Sequence, residues 1–174
     1  MEGPGNLMYQ VVSRYHVPWD KVTPDVTTPE AILLTVAYDR TELAVGATVE
    51  VAVTAMLNPA IVPTDTTSWA AEASIIEVGL PPGFEIQRED LGQIVSRSET
   101  APDDNDAARI ERFELTGDRI ILYVANLTSA EPLTFTYRLR AKFPIVAQTP
   151  ASIAYDVYNP TVIGEAPPQT LTVI

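Results

Sequence analysis

The chain has 174 residues, 46% of them hydrophobic, enough for one well-buried core with an extended arm besides. Its formal net charge is −12, from 11 Lys and Arg against 23 Asp and Glu. It therefore lacks the clustered cations that neutralise phosphates, and nucleic acid and anionic membrane surfaces are excluded as general partners. With no cysteine and one histidine, His16, it can build no disulfide, no thiolate metal site, no cysteine nucleophile and no histidine-rich metal site.

No apolar run approaches the roughly 18 residues of a membrane span, and "MEGPGNLMYQ" has neither the basic nor the apolar region of a signal peptide. The chain as it stands is expected to be soluble, with no membrane insertion and no bound cofactor. In chain order, "YQVVSRYHVPWD" reads as a strand, with His16 a half-exposed strand residue rather than a general base. "DKVTPDVTTPE" has the prolines and threonines of an extended linker. A boundary is placed near residues 20–30, with 1–29 belonging to a preceding unit and 30–174 forming one domain.

Within 30–174, β-rich runs follow one another: "ILLTVAYD", "TVEVAVTAML", "ASIIEVGL", "RIERFEL", "RIILYVANL", "PLTFTYRLRAKF", "ASIAYDVY" and "QTLTVI". Turn chemistry such as "LAVGA", "LPPGF", "LTGDR" and "GEAPP" separates them. This spacing predicts an all-β fold, an antiparallel two-sheet β-sandwich. One short helix is expected in a strand-to-strand crossover, over "REDLGQIVSR" at 88–97. Leu91, Ile94 and Val95 give it a buried stripe, Glu89 and Asp90 suit its positive end, and Gly92 weakens it. In "LTFTYRLRAKF", Leu133, Phe135, Tyr137, Leu139, Ala141 and Phe143 point to the core. Arg138, Arg140 and Lys142 line the other face, where Glu111 or Glu114 across the sheet would balance them. In "ASIAYDVYNP", Ile153, Tyr155 and Val157 are expected to face inward and Asp156 outward, with Asn159-Pro160 ending the strand.

Motifs that carry chemistry are scarce. "LPPGF" and "AVGA" hold one glycine each and cradle no phosphate. "DDND" at 103–106 lacks the ligand spacing of a calcium loop and reads as a solvated turn. "NLT" at Asn126 matches the short glycosylation pattern by chance. No catalytic group and no metal ligands are assigned, and the chain is not read as an enzyme.

Taken in order, "LPPGFEIQREDLGQIV", "DRIILYVANL", "LTFTYRLRAKFP" and "AYDVYNP" resemble the C-terminal receptor-binding domain of the alpha-2-macroglobulin family. The resemblance covers residues 30–174. "MYQVVSRYHVPW" is similar to the strand that leads into this domain from the preceding CUB-like and thioester region. The resemblance implies one module of a large proteinase trap, extracellular, periplasmic or on a cell surface. Its partners would be the other domains of the parent chain, the thioester region above all, with target proteinases reached only through the parent. This chain holds neither a bait region nor a Cys-Gly-Glu-Gln thioester. The vertebrate domain presents two lysines one helical turn apart to a clearance receptor; the matching positions here are Arg88 and Gly92, so binding in that mode is not expected. The absence of cysteine and the "YNP" ending resemble bacterial members. The resemblance also leaves Arg138, Arg140 and Lys142 as a candidate contact face. Two other readings stay open. One is a stand-alone adhesion or carbohydrate-binding sandwich, for which Trp19 and Trp69 offer no aromatic platform. The other is an accessory domain of a secreted hydrolase.

Overall fold

The computed structural model describes residues 10–13, 17–21, 29–61, 69–100 and 107–174. His16, the aspartate run at 103–106 and the linker at 22–28 lie outside them. The strands are β1 (Ile32–Tyr38), β2 (Glu42–Leu43), β3 (Thr48–Leu57), β4 (Ala70–Gly79) and β5 (Phe84–Ile86), followed by α1 (Arg88–Thr100). After α1 come β6 (Arg109–Leu115), β7 (Arg119–Thr128), β8 (Leu133–Ala141), β9 (Ile145–Gln148), β10 (Ser152–Asp156), β11 (Ile163–Ala166) and β12 (Thr170–Val173). Short 3-10 turns occur at Trp19–Lys21 and Pro59–Ile61.

Alternation decides the layers. In β3, Val49, Val51, Val53, Ala55 and Leu57 are fully buried, and in β8 Phe135, Tyr137, Leu139 and Ala141 face the same way. These line a four-stranded sheet in the order β1-β3-β8-β5. The opposing sheet, β11-β10-β4-β7-β6, contributes Ile76, Val78, Ile110, Ile120, Leu122 and Val124 to the shared core. A smaller third sheet, β2-β12-β9, adds a parallel pair, β12 with β2. The fold is thus the expected sandwich with a small extra sheet.

The two open sides of the sandwich are closed differently. On one side α1 packs against β6 and β8 and inserts Leu91 and Ile94 into the core. On the other, the edge strands β1 and β11 meet directly: the Ala31 amide donates to the Ile163 carbonyl at 3.2 Å, and Gly164 lies against the Ile32 carbonyl. Inward positions on β10 and β11 must therefore be small, and they are Ser152, Ala154, Gly164 and Ala166.

That pinch corrects the expected parity of β10. Ser152 and Ala154 point to the core, while Ile153 and Tyr155 lie half-buried on the outer face. Val157 is past the strand and 42% exposed. Phe143 is likewise beyond the end of β8 and 51% exposed, not a core residue. Residues 10–13 and 17–18, expected in a strand, are not in one. The helix runs three residues past its expected end, through Thr100. Asn126 takes a left-handed backbone (φ 54°) inside β7, a conformation Asn tolerates better than most residues.

Candidate functional site

The helix positions come first. Gly83, at φ 85°, turns the chain out of "LPPG" into β5, a conformation that glycine adopts freely. β5 then pairs with β8 and delivers the chain to α1. Arg88 and Gly92 lie one turn apart, both exposed, and a side chain at Gly92 would meet nothing within 4 Å. Glu89 is exposed beside them. Asp90 is not: its side chain is 11% exposed and faces β8.

There it holds Arg138. The Arg138 Nη2 donates to Asp90 Oδ1 at 2.6 Å, and its Nε and backbone N–H donate to Oδ2 at 2.9 and 3.0 Å. The Gln87 amide donates to the Arg138 carbonyl at 3.0 Å, so one β8 residue fixes the start of the helix from both of its backbone groups. Hydrogen bonds from Arg138 hold the Asp90 carboxyl below its ordinary value of 3.8, against the desolvation that opposes them. A depressed carboxyl pKa stabilises the fold above the unfolded pKa, and that contribution disappears as pH falls through the folded value. Asp90→Asn should therefore lower stability at neutral pH by about 1 kcal/mol, less than hydrogen bonds to a charged group give when buried, because the half-exposed Arg138 is screened by solvent. The gap to wild type should narrow as pH falls below the unfolded carboxylate range and close only once it passes the depressed folded value, as Asp90 protonates in the native state. Urea titrations at pH 7 and at successively lower acid pH check this.

The other two cations divide. Lys142 pairs with Glu85 at 3.2 Å. Arg140 sits in register with Glu85 and lines a shallow cleft of about 410 Å3 with Glu85, Ile86, Gln87, Arg88 and Glu89. The expected balancing partners are corrected here, because Glu111 and Glu114 lie on the opposite sheet, paired with Arg109 at 3.5 Å and Arg112 at 2.6 Å. The structure thus brings Arg88 and Arg140 to one cleft, and it ties Arg138 and Lys142 to carboxylates of their own sheet and helix.

Two features were not assigned from the sequence. The first is the turn after β10, where Asp156 Oδ1 accepts the amides of Tyr158 (2.7 Å) and Asn159 (3.1 Å). Thr161 Oγ1 donates to Asn159 Oδ1 at 2.6 Å, and the Val162 amide donates to the Asn159 carbonyl at 2.9 Å. This bonding sets out Tyr158, 78% exposed, on a braced turn. The available signal was Asp156 two and three residues before the amides it caps.

The second feature is an outer row across the five-stranded sheet: Ile163, Tyr155, Ile75, Tyr123 and Arg112. Tyr155 donates its hydroxyl to Glu77 at 3.3 Å, and Arg119 pairs with the other Glu77 oxygen at 3.2 Å. Burial, and then the Glu77 charge, raises the Tyr155 pKa. The Arg112 guanidinium covers the Tyr123 ring at 3.4 Å, and Trp69 packs on the core, so neither presents a free face to a sugar. Among the described residues no group of His, Asp or Glu is placed to hold a metal, and no helix is long and apolar enough to cross a membrane.

A sequence profile of the A-macroglobulin receptor binding domain matches residues 70–165, more than half of the chain and spanning β4 to β11. The chain belongs to this family. Native alpha-2-macroglobulin from Escherichia coli, as a fragment spanning domain MG7 to the C-terminus, superposes with a TM-score of 0.62 at 18% identity. It covers 84% of this chain and 24% of that one. The native conformation of the E. coli protein gives 0.64 at 17% identity over 84% of this chain and 10% of that one. Salmonella alpha-2-macroglobulin reacted with methylamine gives 0.63 at 17%, over 84% and 9%. At these identities the likeness is one of fold, and this receptor-binding domain spans a quarter or less of each of those chains. No curated protein sequence matches it. The matched segment of the receptor-binding domain includes α1, the outer tyrosine row and the Tyr158 turn.

Proposed function

We propose that this receptor-binding domain is a non-catalytic, C-terminal-type interaction module of a larger alpha-2-macroglobulin-like proteinase trap, working outside the cell or in a periplasm. It packs against the thioester region of its parent chain and becomes accessible when a proteinase triggers the trap. The observation that supports a contact role is the Tyr158 turn: a large aromatic side chain held out on braced backbone loses little entropy when a partner covers it. The basic face of Arg138, Arg140 and Lys142 is a weaker contact, because Asp90 and Glu85 already answer two of its three charges. On α1, a receptor that reads two ammonium groups meets Arg88 and no side chain at Gly92, so clearance-receptor binding in that mode does not occur.

The test is Tyr158→Ser, made both in the isolated domain and in the parent chain. In the isolated domain the exposed ring carries no packing, and stability should stay within about 0.5 kcal/mol of wild type. In the parent, the thioester should react faster with a primary amine. A parent variant with unchanged reactivity would remove the turn from the contact. A natural product that migrates alone at 18.9 kDa would defeat the module reading itself.

A further inference from the structure

We propose that the hydroxyls of Tyr38 and Tyr137 form an internal hydration site, holding water between the layers of the sandwich. Tyr38 on β1 and Tyr137 on β8 are both aligned with Val51 on the strand between them, and all three sit at inward positions of the four-stranded sheet. Both phenol oxygens are sealed from solvent, and among the described residues neither has a hydrogen-bond partner. The other inward positions nearby, Val36, Phe135 and Leu139, are hydrocarbon.

A buried hydroxyl without a partner costs about 1 to 3 kcal/mol, which phenylalanine at the same place would avoid. Two strands apart, the backbones that carry these hydroxyls are roughly 10 Å from each other, and the two oxygens do not hydrogen-bond to one another directly. Each phenol donates one hydrogen bond and accepts others, while water donates two and accepts two. One water can therefore accept from one phenol and donate to the other, meeting the minimum of two polar partners that an interior water needs. Burial raises the pKa of both phenols, and for Tyr137 the nearness of Tyr38 raises it further, which places Tyr137 within the field of Tyr38.

The experiment is a crystal structure of the whole chain at high resolution together with a Tyr38→Phe, Tyr137→Phe and double-variant series followed by thermal unfolding. The structure should show an ordered water about 2.7 to 2.8 Å from both oxygens. Each single variant should lower Tm by about 2 to 4 °C, because the remaining phenol and the water lose a partner. The double variant should lose less than the sum of the two. Density without water at either oxygen, or single phenylalanine variants as stable as wild type, overturns the proposal.

Discussion

Gly164→Ala should cost the fold much of its stability. The added Cβ would lie against the carbonyl carbon and oxygen of Ile32, backbone atoms that no rotamer change can move aside. Relief requires β1 and β11 to separate, which breaks the Ala31–Ile163 hydrogen bond and opens the pinched side of the core beside Ile32 and Ala154. Overpacking of a core costs about 1 to 3 kcal/mol when side chains can adjust, and a backbone clash lies at or beyond the upper end. Against a total stability of about 5 to 15 kcal/mol, a loss above about 3 moves the unfolding midpoint far below that of wild type. Gly92→Ala is the control, since its Cβ would meet nothing and alanine is the better helix former. Urea unfolding of both variants should show the first much weakened and the second equal to or firmer than wild type. A Gly164→Ala protein of wild-type stability would mean that the two edge strands separate without cost.

The same pinch explains why the last third of the chain was the hardest part to read. Strands β3 and β8 were legible because each buries one face against an open stretch of core and so carries a clean period of two, as β7 does up to Val124, where its alternation shifts. In β10 the larger residues Ile153 and Tyr155 suggest an inward face, yet the room there is set by β1, a strand more than a hundred residues earlier. Small residues won the inward positions by steric necessity, and Ile153 and Tyr155 went to the outer row. Strands β2, β5, β9 and β11 have two to four residues each, too few for any period to show.

The candidate site was legible by residue and not by pairing. Exposure of Arg88 and Gly92 on the solvent side of α1 follows from the stripe of Leu91 and Ile94, which fixes the helix rotation. The outward face of Arg138, Arg140 and Lys142 follows from the alternation of β8. Their partners did not follow, because Asp90 is 48 residues from Arg138 along the chain and meets it only through the crossover that seats α1 on the sheet. A carboxylate expected only to suit the positive end of the helix also anchors that helix to β8. Asn159-Pro160 was expected to end the last strand of this run; Asp156 ends it earlier by capping two amides, which leaves Tyr158 outside it.

Phe135→Ala should be a strongly damaging truncation within β8. Phe135 is 6% exposed, stands in register with Val53 and faces the core between the sheets. Losing a buried phenyl ring costs about 3 to 5 kcal/mol, the sum of lost transfer energy and the cavity that the surrounding strands cannot fully close. Thr136, the next residue, faces solvent on the same strand, and Thr136→Ala should stay within about 0.5 kcal/mol. Two substitutions one residue apart thus differ severalfold in effect because the side-chain period of a strand is two. Urea midpoints should separate the two variants with the slope of the transition unchanged, since the surface exposed on unfolding is nearly the same. Equal costs at the two positions would mean that β8 is buried on both faces, and Arg138 and Arg140 would then lie under a covering layer instead of on the surface.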